Sequence, residues 1–121
     1  MASPTLPLQD LSILESIACT FIEIHLDAVA KRDLAIWFAE HPNSPCAKYE
    51  LCQHLDHHRT AIDRGLRALQ EAGAIVPARA EGHPAWQLTS DTATRQILQA
   101  VARYFRKHPD MRTVITHYEP A

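Results

Sequence analysis

The feature that most restricts the fold is the helical pattern of residues 59–72, "RTAIDRGLRALQEA". Ile62, Leu66 and Leu69 recur at spacings of three and four residues, which places them on one face of an α-helix. Gly73 follows at the position where a left-handed C-cap residue belongs. The opposite face carries polar side chains that a core does not require: Thr60, Asp63, Arg64 and Arg67. This segment is therefore predicted to be a helix that buries one side and presents the other.

Other helical patterns precede and follow this helix. The first starts at Asp10, with Asp10 or the Ser12–Glu15 pair as its cap. The second runs from Asp27 to His41 and is ended by Pro42. A short helix is predicted for Tyr49–Leu55, before a turn at residues 56–58. The last helix is predicted to start at the cap Ser90 and to end before Pro109.

The remaining segments are predicted to be strands, loops or arms. Residues 74–89 contain two β-rich stretches around "EGHP" and are predicted to form a hairpin. Because Pro77 and Pro84 each lack a backbone donor, neither strand is expected at the centre of a sheet. The stretch "PNSPCAK" is interpreted as a loop, residues 1–9 as a loose arm, and the C-terminal tail as a strand or an ordered arm.

Composition agrees with a single, mainly α-helical domain. The chain has 121 residues, of which only three are glycine, fewer than an all-β sandwich with many turns would use. No apolar run is long enough to span a bilayer, and the N-terminus lacks the basic and apolar regions of a signal peptide. We therefore expect a cytoplasmic protein without a membrane partner. The three cysteines, an odd number, are interpreted as reduced thiols.

The segment from about Asp27 to Thr89 resembles a winged helix-turn-helix, and is similar to small transcription regulators of the MarR type. "AEHP" closes the first helix of this unit, "YELCQHLD" is the second, and "RTAIDRGLRALQEAGAIV" is the third with its exit. "WQLTSD" stands where such proteins return from the wing into their last helix. The expected fold class is thus mainly α with a small β-hairpin wing. Residues 10–121 would form one domain, with flanking helices at 10–26 and 90–109.

This resemblance implies a regulator that places helix 59–72 in the major groove of double-stranded DNA. The implied DNA-binding residues come from the turn, the helix and the hairpin tip: His58, Arg59, Thr60, Asp63, Arg64, Arg67, Arg79 and His83. The flanking helices would pair two subunits into a homodimer. Their apolar rows are broad for one small domain: Leu11, Leu14, Ala18 and Phe21 in the first helix, and Ile97, Val101, Tyr104 and Phe105 in the last.

A protein-interaction module with weak or no DNA binding is the alternative, and the charge balance favours it. Residues 42–90 contain five Lys and Arg side chains and five Asp and Glu side chains, so they form no basic stripe. Asp63 also places an acid on the outward face of the helix. An acid there repels phosphate unless it accepts a hydrogen bond from a cytosine amino group.

No catalytic motif, cofactor site or metal site is predicted. The chain has no Gly-rich phosphate loop, no nucleophile elbow and no convincing pair of carboxylates. His54, His57 and His58 lie near Cys46 and Cys52 in sequence, but their spacing does not match a zinc site. A thiol- or metal-sensing regulator is retained as a variant of the first hypothesis, as is an unidentified small-molecule effector. Trp37, Phe38, Tyr104 and Phe105 are interpreted as core rather than as the lining of a ligand pocket.

Overall fold

Five α-helices, one 3-10 helix and three short strands make up the part of the chain that the computed structural model describes, residues 11–113 without the side chains of Leu11 and Ser12. The helices are α1 (Leu11–His25), α2 (Val29–Glu40), α3 (Lys48–His54), α4 (Arg59–Glu71) and α5 (Thr92–Lys107), followed by the 3-10 helix (Pro109–Arg112). The strands are β1 (Cys46–Ala47), β2 (Ile75–Ala80) and β3 (His83–Leu88). The mainly helical class is confirmed. The arms predicted at residues 1–9 and 114–121 lie outside the described residues.

Helix α4 matches the sequence prediction closely. It buries Ile62, Leu66 and Leu69 as predicted, together with Gly65. Gly73 has a φ of 78°, which confirms it as the left-handed residue after the helix. Its amide donates to the carbonyl of Gln70 at 3.0 Å, and the next amide, that of Ala74, donates to Leu69 at 2.9 Å. These bonds satisfy carbonyl groups that the end of a helix otherwise leaves unpaired.

The sheet corrects two predictions. All three strands are antiparallel in the order β1-β3-β2, so β3 is central although it contains Pro84. The prediction missed this because β1 is only two residues long and pairs with Ala85 and Trp86 alone, leaving Pro84 outside the three-stranded part. The short β1 itself lies within the stretch that was predicted to be a loop.

The cap of α5 is Asp91 rather than the predicted Ser90. Its carboxylate accepts hydrogen bonds from the Thr94 amide at 3.0 Å and from the Thr94 hydroxyl at 2.7 Å. Arg95, one residue further, donates to the backbone carbonyls of Thr89 and Pro42. The N-terminal end of α5 is thereby joined both to the end of β3 and to the loop after α2.

Most of the apolar surface that was assigned to a subunit interface is covered within the chain. Helix α1 packs against α5, and Leu14, Ala18, Val101 and Phe105 are all buried in the single chain. These four side chains are therefore not available to a second subunit in this arrangement, because each helix already covers the other; the homodimer itself stays a prediction. Helix α1 exposes a different row instead, in which Ile13 and Ile24 are 47% and 66% exposed.

No helix in residues 11–113 is both long and apolar enough to cross a bilayer.

The core interpretation of the aromatic residues is confirmed. Phe38 and Phe105 belong to the buried core, and Trp37 and Tyr104 pack against it partly buried. Helix α2 lies at the centre of this arrangement, since it contacts α4, α5, β3 and the 3-10 helix.

The contact between α2 and α4 depends on the absence of a side chain at Gly65. A Cβ atom at this position would overlap the Cδ1 atom of the fully buried Leu34. We expect Gly65→Ala to lower the free energy of unfolding by about 1 kcal/mol. The overlap should destabilise the folded state by roughly 1–3 kcal/mol. The higher helix propensity of alanine offsets about 1 kcal/mol of this loss. Urea unfolding followed by circular dichroism measures the change.

The matched control is the same substitution in a Leu34→Val background, which removes the overlapping atom. There, Gly65→Ala should be neutral or stabilising. A stabilising effect of Gly65→Ala in the parent chain would show that the close approach does not limit the packing of α4.

Candidate nucleic-acid interface

The turn between α3 and α4 holds the start of α4 in place. Leu55 donates its amide to Leu51 at 2.8 Å, and His57 donates its amide to Leu55 at 2.9 Å. The side chain of His57 is directed inward, where Nε2 lies 2.6 Å from Oδ2 of Asp33 on α2. Because the amide of Ile62 donates to the carbonyl of His58, the turn is continuous with the first turn of α4.

The outward face of α4 is polar and open to solvent. The side chains of His58, Arg59, Thr60, Arg64 and Arg67 are all exposed, as expected for the predicted site residues. Within residues 11–113, the three arginines form no hydrogen bond or close ion pair. The structure thus brings five predicted residues to one surface whose cations are free to contact a ligand.

Asp63 lies on the same face, and its charge is compensated. Lys48, the first residue of α3, places its ammonium group 2.7 Å from the Asp63 carboxylate. The hydrogen bond from Lys48 lowers the pKa of Asp63 below its usual value, and the charges of Lys48, Arg59 and Arg67 add to this effect. Asp63 is therefore ionised near neutral pH and is paired with a cation rather than exposed alone.

The hairpin formed by β2 and β3 is joined to the outer side of α4. The indole Nε1 of Trp86 donates to Oε1 of Gln70 at 3.1 Å. An open groove runs between the two elements, and its polar lining consists of Lys48, Asp63, Arg67, Gln70, Glu71 and the indole of Trp86. Lys48, Gln70 and Trp86 were not predicted to belong to this surface, because no sequence spacing relates α3, α4 and β3.

Two further predicted residues lie near the tip of the hairpin. Glu81 and Gly82 form the turn with φ values of 51° and 81°. Arg79 donates from Nη1 to the carbonyl of Gly82 at 2.9 Å and remains exposed, as does His83. The tip therefore presents the Arg79 guanidinium, the Glu81 carboxylate and the His83 ring to solvent.

The histidines and cysteines near the turn do not converge on one site. Among residues 11–113 there is no group of three or more His, Cys, Asp or Glu side chains arranged to hold a metal ion. The ring of His54 stacks on Trp37 with centroids 4.9 Å apart, whereas His57 contacts Asp33.

Cys46 was predicted to lie in a loop, but it is buried in β1. Burial raises the pKa of its thiol to about 11, with a contribution from the charge of Glu50 and an opposing hydrogen bond involving Trp37. The thiol is thus protonated near neutral pH. Since the thiolate is the reactive form, this environment does not favour a redox-sensing role for Cys46.

Comparison with known proteins adds no assignment to this surface. No protein-family model matches the chain, and no curated protein sequence matches it. The candidate interface itself consists of the polar face of α4, Lys48 of α3 and the tip of the β2–β3 hairpin.

Proposed function

We propose that the chain is a winged helix-turn-helix transcription regulator that places α4 in the major groove of double-stranded DNA. The observation that carries this proposal is the outward face of α4, where Arg59, Arg64 and Arg67 are exposed without partners in the described part of the chain. An α-helix fits the major groove, and arginine is the side chain that most often contacts guanine there. A rigid turn before the helix is the arrangement that helix-turn-helix proteins use to present it.

The local charge of this face supports DNA binding better than the overall composition does. Lys48, Arg59, Arg64 and Arg67 are four cations set against the carboxylates of Asp63 and Glu71, which gives a net charge of +2. The ion pair of Asp63 with Lys48 reduces the repulsion that an isolated acid would exert on phosphate. Electrostatic attraction to the phosphate backbone supplies a large part of the affinity of such proteins.

In this proposal the β2–β3 hairpin is the wing. Its tip carries the exposed Arg79 and His83, which would contact flanking phosphates or the adjacent minor groove. The hydrogen bond between Trp86 and Gln70 supports this role, because it links the hairpin to the helix that would occupy the major groove. Contacts of this kind orient a protein on the duplex without reading its sequence.

We also propose that the protein binds DNA as a homodimer whose subunits meet along the outer face of α1. Ile13, Ile17, Phe21 and Ile24 follow helical spacing on this face, and two of them are strongly exposed. The face is apolar and comes from one element, so a second copy would cover it symmetrically. Two such subunits would direct their α4 helices into successive major grooves, roughly 34 Å apart.

The proposed contact between the outward face of α4 and DNA is tested by fluorescence anisotropy. The affinity for the DNA that flanks the gene is measured at two salt concentrations. Arg64→Ala should cost roughly 1–3 kcal/mol of specific affinity if Arg64 contacts a guanine edge. Arg79→Ala should weaken binding to all sequences about equally and reduce the salt slope by about one. Arg106→Ala is the matched control, since this exposed arginine of α5 forms only a 3.9 Å pair with Glu40.

The substitution Asp63→Ala distinguishes two alternative effects of the Asp63 carboxylate on DNA binding: repulsion of phosphate and a hydrogen bond with cytosine. If it only repels phosphate, Asp63→Ala should tighten binding to every DNA, because the substitution also frees Lys48. If it accepts a hydrogen bond from cytosine, the same change should relax specificity at one base pair. The alternative, a protein-interaction module, would be favoured if all three variants fold and none of them alters DNA binding. These variants are Arg64→Ala, Arg79→Ala and Asp63→Ala.

The proposed subunit interface is tested by sedimentation at micromolar concentration. The parent protein should sediment as a dimer, and Ile24→Asp should sediment as a monomer because it places a charge within the apolar face of α1. The fold should survive, since Ile24 is 66% exposed in the single chain. Val76→Asp is the control, because Val76 is also an exposed hydrophobic residue but lies on β2. A monomeric parent protein would exclude a dimer that places its two α4 helices in successive major grooves.

A further inference from the structure

One carboxylate on α2 joins two distant parts of the chain. Oδ2 of Asp33 lies 2.6 Å from Nε2 of His57, in the turn before α4. Its other oxygen, Oδ1, accepts a hydrogen bond from Nη1 of Arg112, in the 3-10 helix after α5. The side chain of Asp33 is only 14% exposed, and that of His57 is 18% exposed. A carboxylate so far removed from water depends on its protein donors.

The neighbouring residue on α2 holds the same C-terminal segment by its backbone. Arg32 is fully buried, and its Nη1 donates to the carbonyls of Met111 and Arg112 at 3.1 and 3.2 Å. Its Nε donates to the carbonyl of Leu26, in the link between α1 and α2, at 2.8 Å. Arg32 therefore fixes the backbone from which the Arg112 side chain reaches Asp33.

The second partner of Asp33, His57, lies next to the proposed DNA-binding helix α4. His57 is two residues before α4, and the carbonyl of His58 accepts the amide of Ile62 in the first turn of that helix. The side chain of His58 forms no cap hydrogen bond, so it does not fix the start of α4. The bond from His57 to Asp33 is thus a polar side-chain link between this turn and α2.

We propose that Asp33, His57 and Arg112 form a positioning relay, through which the segment after α5 sets the placement of the start of α4. When the Arg112 side chain is removed, the Asp33 carboxylate loses one of its two hydrogen-bond donors. The carboxylate must then either bind a water molecule in place of Arg112 or change its rotamer, and both changes alter its hydrogen bond with His57. The turn at residues 55–58 then becomes more mobile, and the arginines of α4 are less well oriented. The effect on DNA rests on the function proposed above, whereas the effect on the turn does not.

Hydrogen exchange on the full chain without DNA tests the relay directly. In Arg112→Ala, the hydrogen-bonded amides of His57 and Ile62 should exchange roughly 2- to 30-fold faster, which corresponds to a coupling of about 0.5–2 kcal/mol. The amides in the middle of α1 should be unchanged. Arg112 is 41% exposed, so this variant should fold. Arg106→Ala, with its weak exposed pair to Glu40, is the matched control and should leave exchange at both amides unchanged.

Two variants of His57 show whether the hydrogen bond, rather than packing, carries the effect. His57→Ala should increase exchange at the turn as Arg112→Ala does, and His57→Gln should restore much of the protection because its amide retains an N–H donor. If both residues act through Asp33, the combined Arg112→Ala and His57→Ala variant should show less than the product of the two single effects. Independent, multiplicative effects, or a His57→Gln variant as unprotected as His57→Ala, would contradict the relay.

DNA affinity measured on the same variants separates the two proposals. Faster exchange with a parallel loss of affinity in Arg112→Ala supports both the relay and its role in DNA binding. Faster exchange in a protein that binds no DNA in any form supports the relay and rejects the DNA-binding function. Unchanged exchange at the amides of His57 and Ile62 in Arg112→Ala overturns the relay, whatever the affinity.

Discussion

Helix α4 packs closely against α2 at Gly65 and Leu34, and this contact determines which side chains of α4 face solvent. Ile62, Leu66 and Leu69 are buried on the inner side, so the helical period places the arginines and Thr60 outside. Because α2 also contacts α5, β3 and the 3-10 helix, the orientation of α4 is linked to most of the domain. The candidate interface is therefore a rigid face of the core rather than a feature of a loop.

Electrostatics on this face depend on pairing more than on the number of charges. A count along the sequence sets five bases against five acids and indicates no attraction to DNA. In the folded chain Asp63 is paired with Lys48, while Arg59, Arg64 and Arg67 have no partner in the described residues. The positive charge is thus concentrated at the N-terminal part of α4, where a groove-binding helix makes its base contacts. The same composition therefore produces a polar surface with a local excess of cations.

The sequence predicted what depends on local period and turn chemistry. The buried row of α4, the left-handed Gly73 and the hairpin around Gly82 follow from helix spacing and glycine, and all three were confirmed. What depends on tertiary contacts was not predictable: the strand at Cys46, the Lys48–Asp63 pair and the link from His57 to Asp33 each join segments without a shared pattern. From the apolar rows that were assigned to a subunit interface, Leu14, Ala18, Val101 and Phe105 are buried within one chain, where α1 packs against α5.

The central claim is that the outer face of α4 contacts DNA, and amide chemical-shift mapping tests it most directly. Two-dimensional NMR spectra of labelled protein would be recorded during addition of duplex DNA from the flanking region of the gene. The account predicts that the largest shifts fall on residues 58–67 and on the hairpin tip at residues 79–83, with the middle of α1 unaffected. Specific binding that leaves residues 58–67 unperturbed, or no shifts at all at low salt, would contradict it.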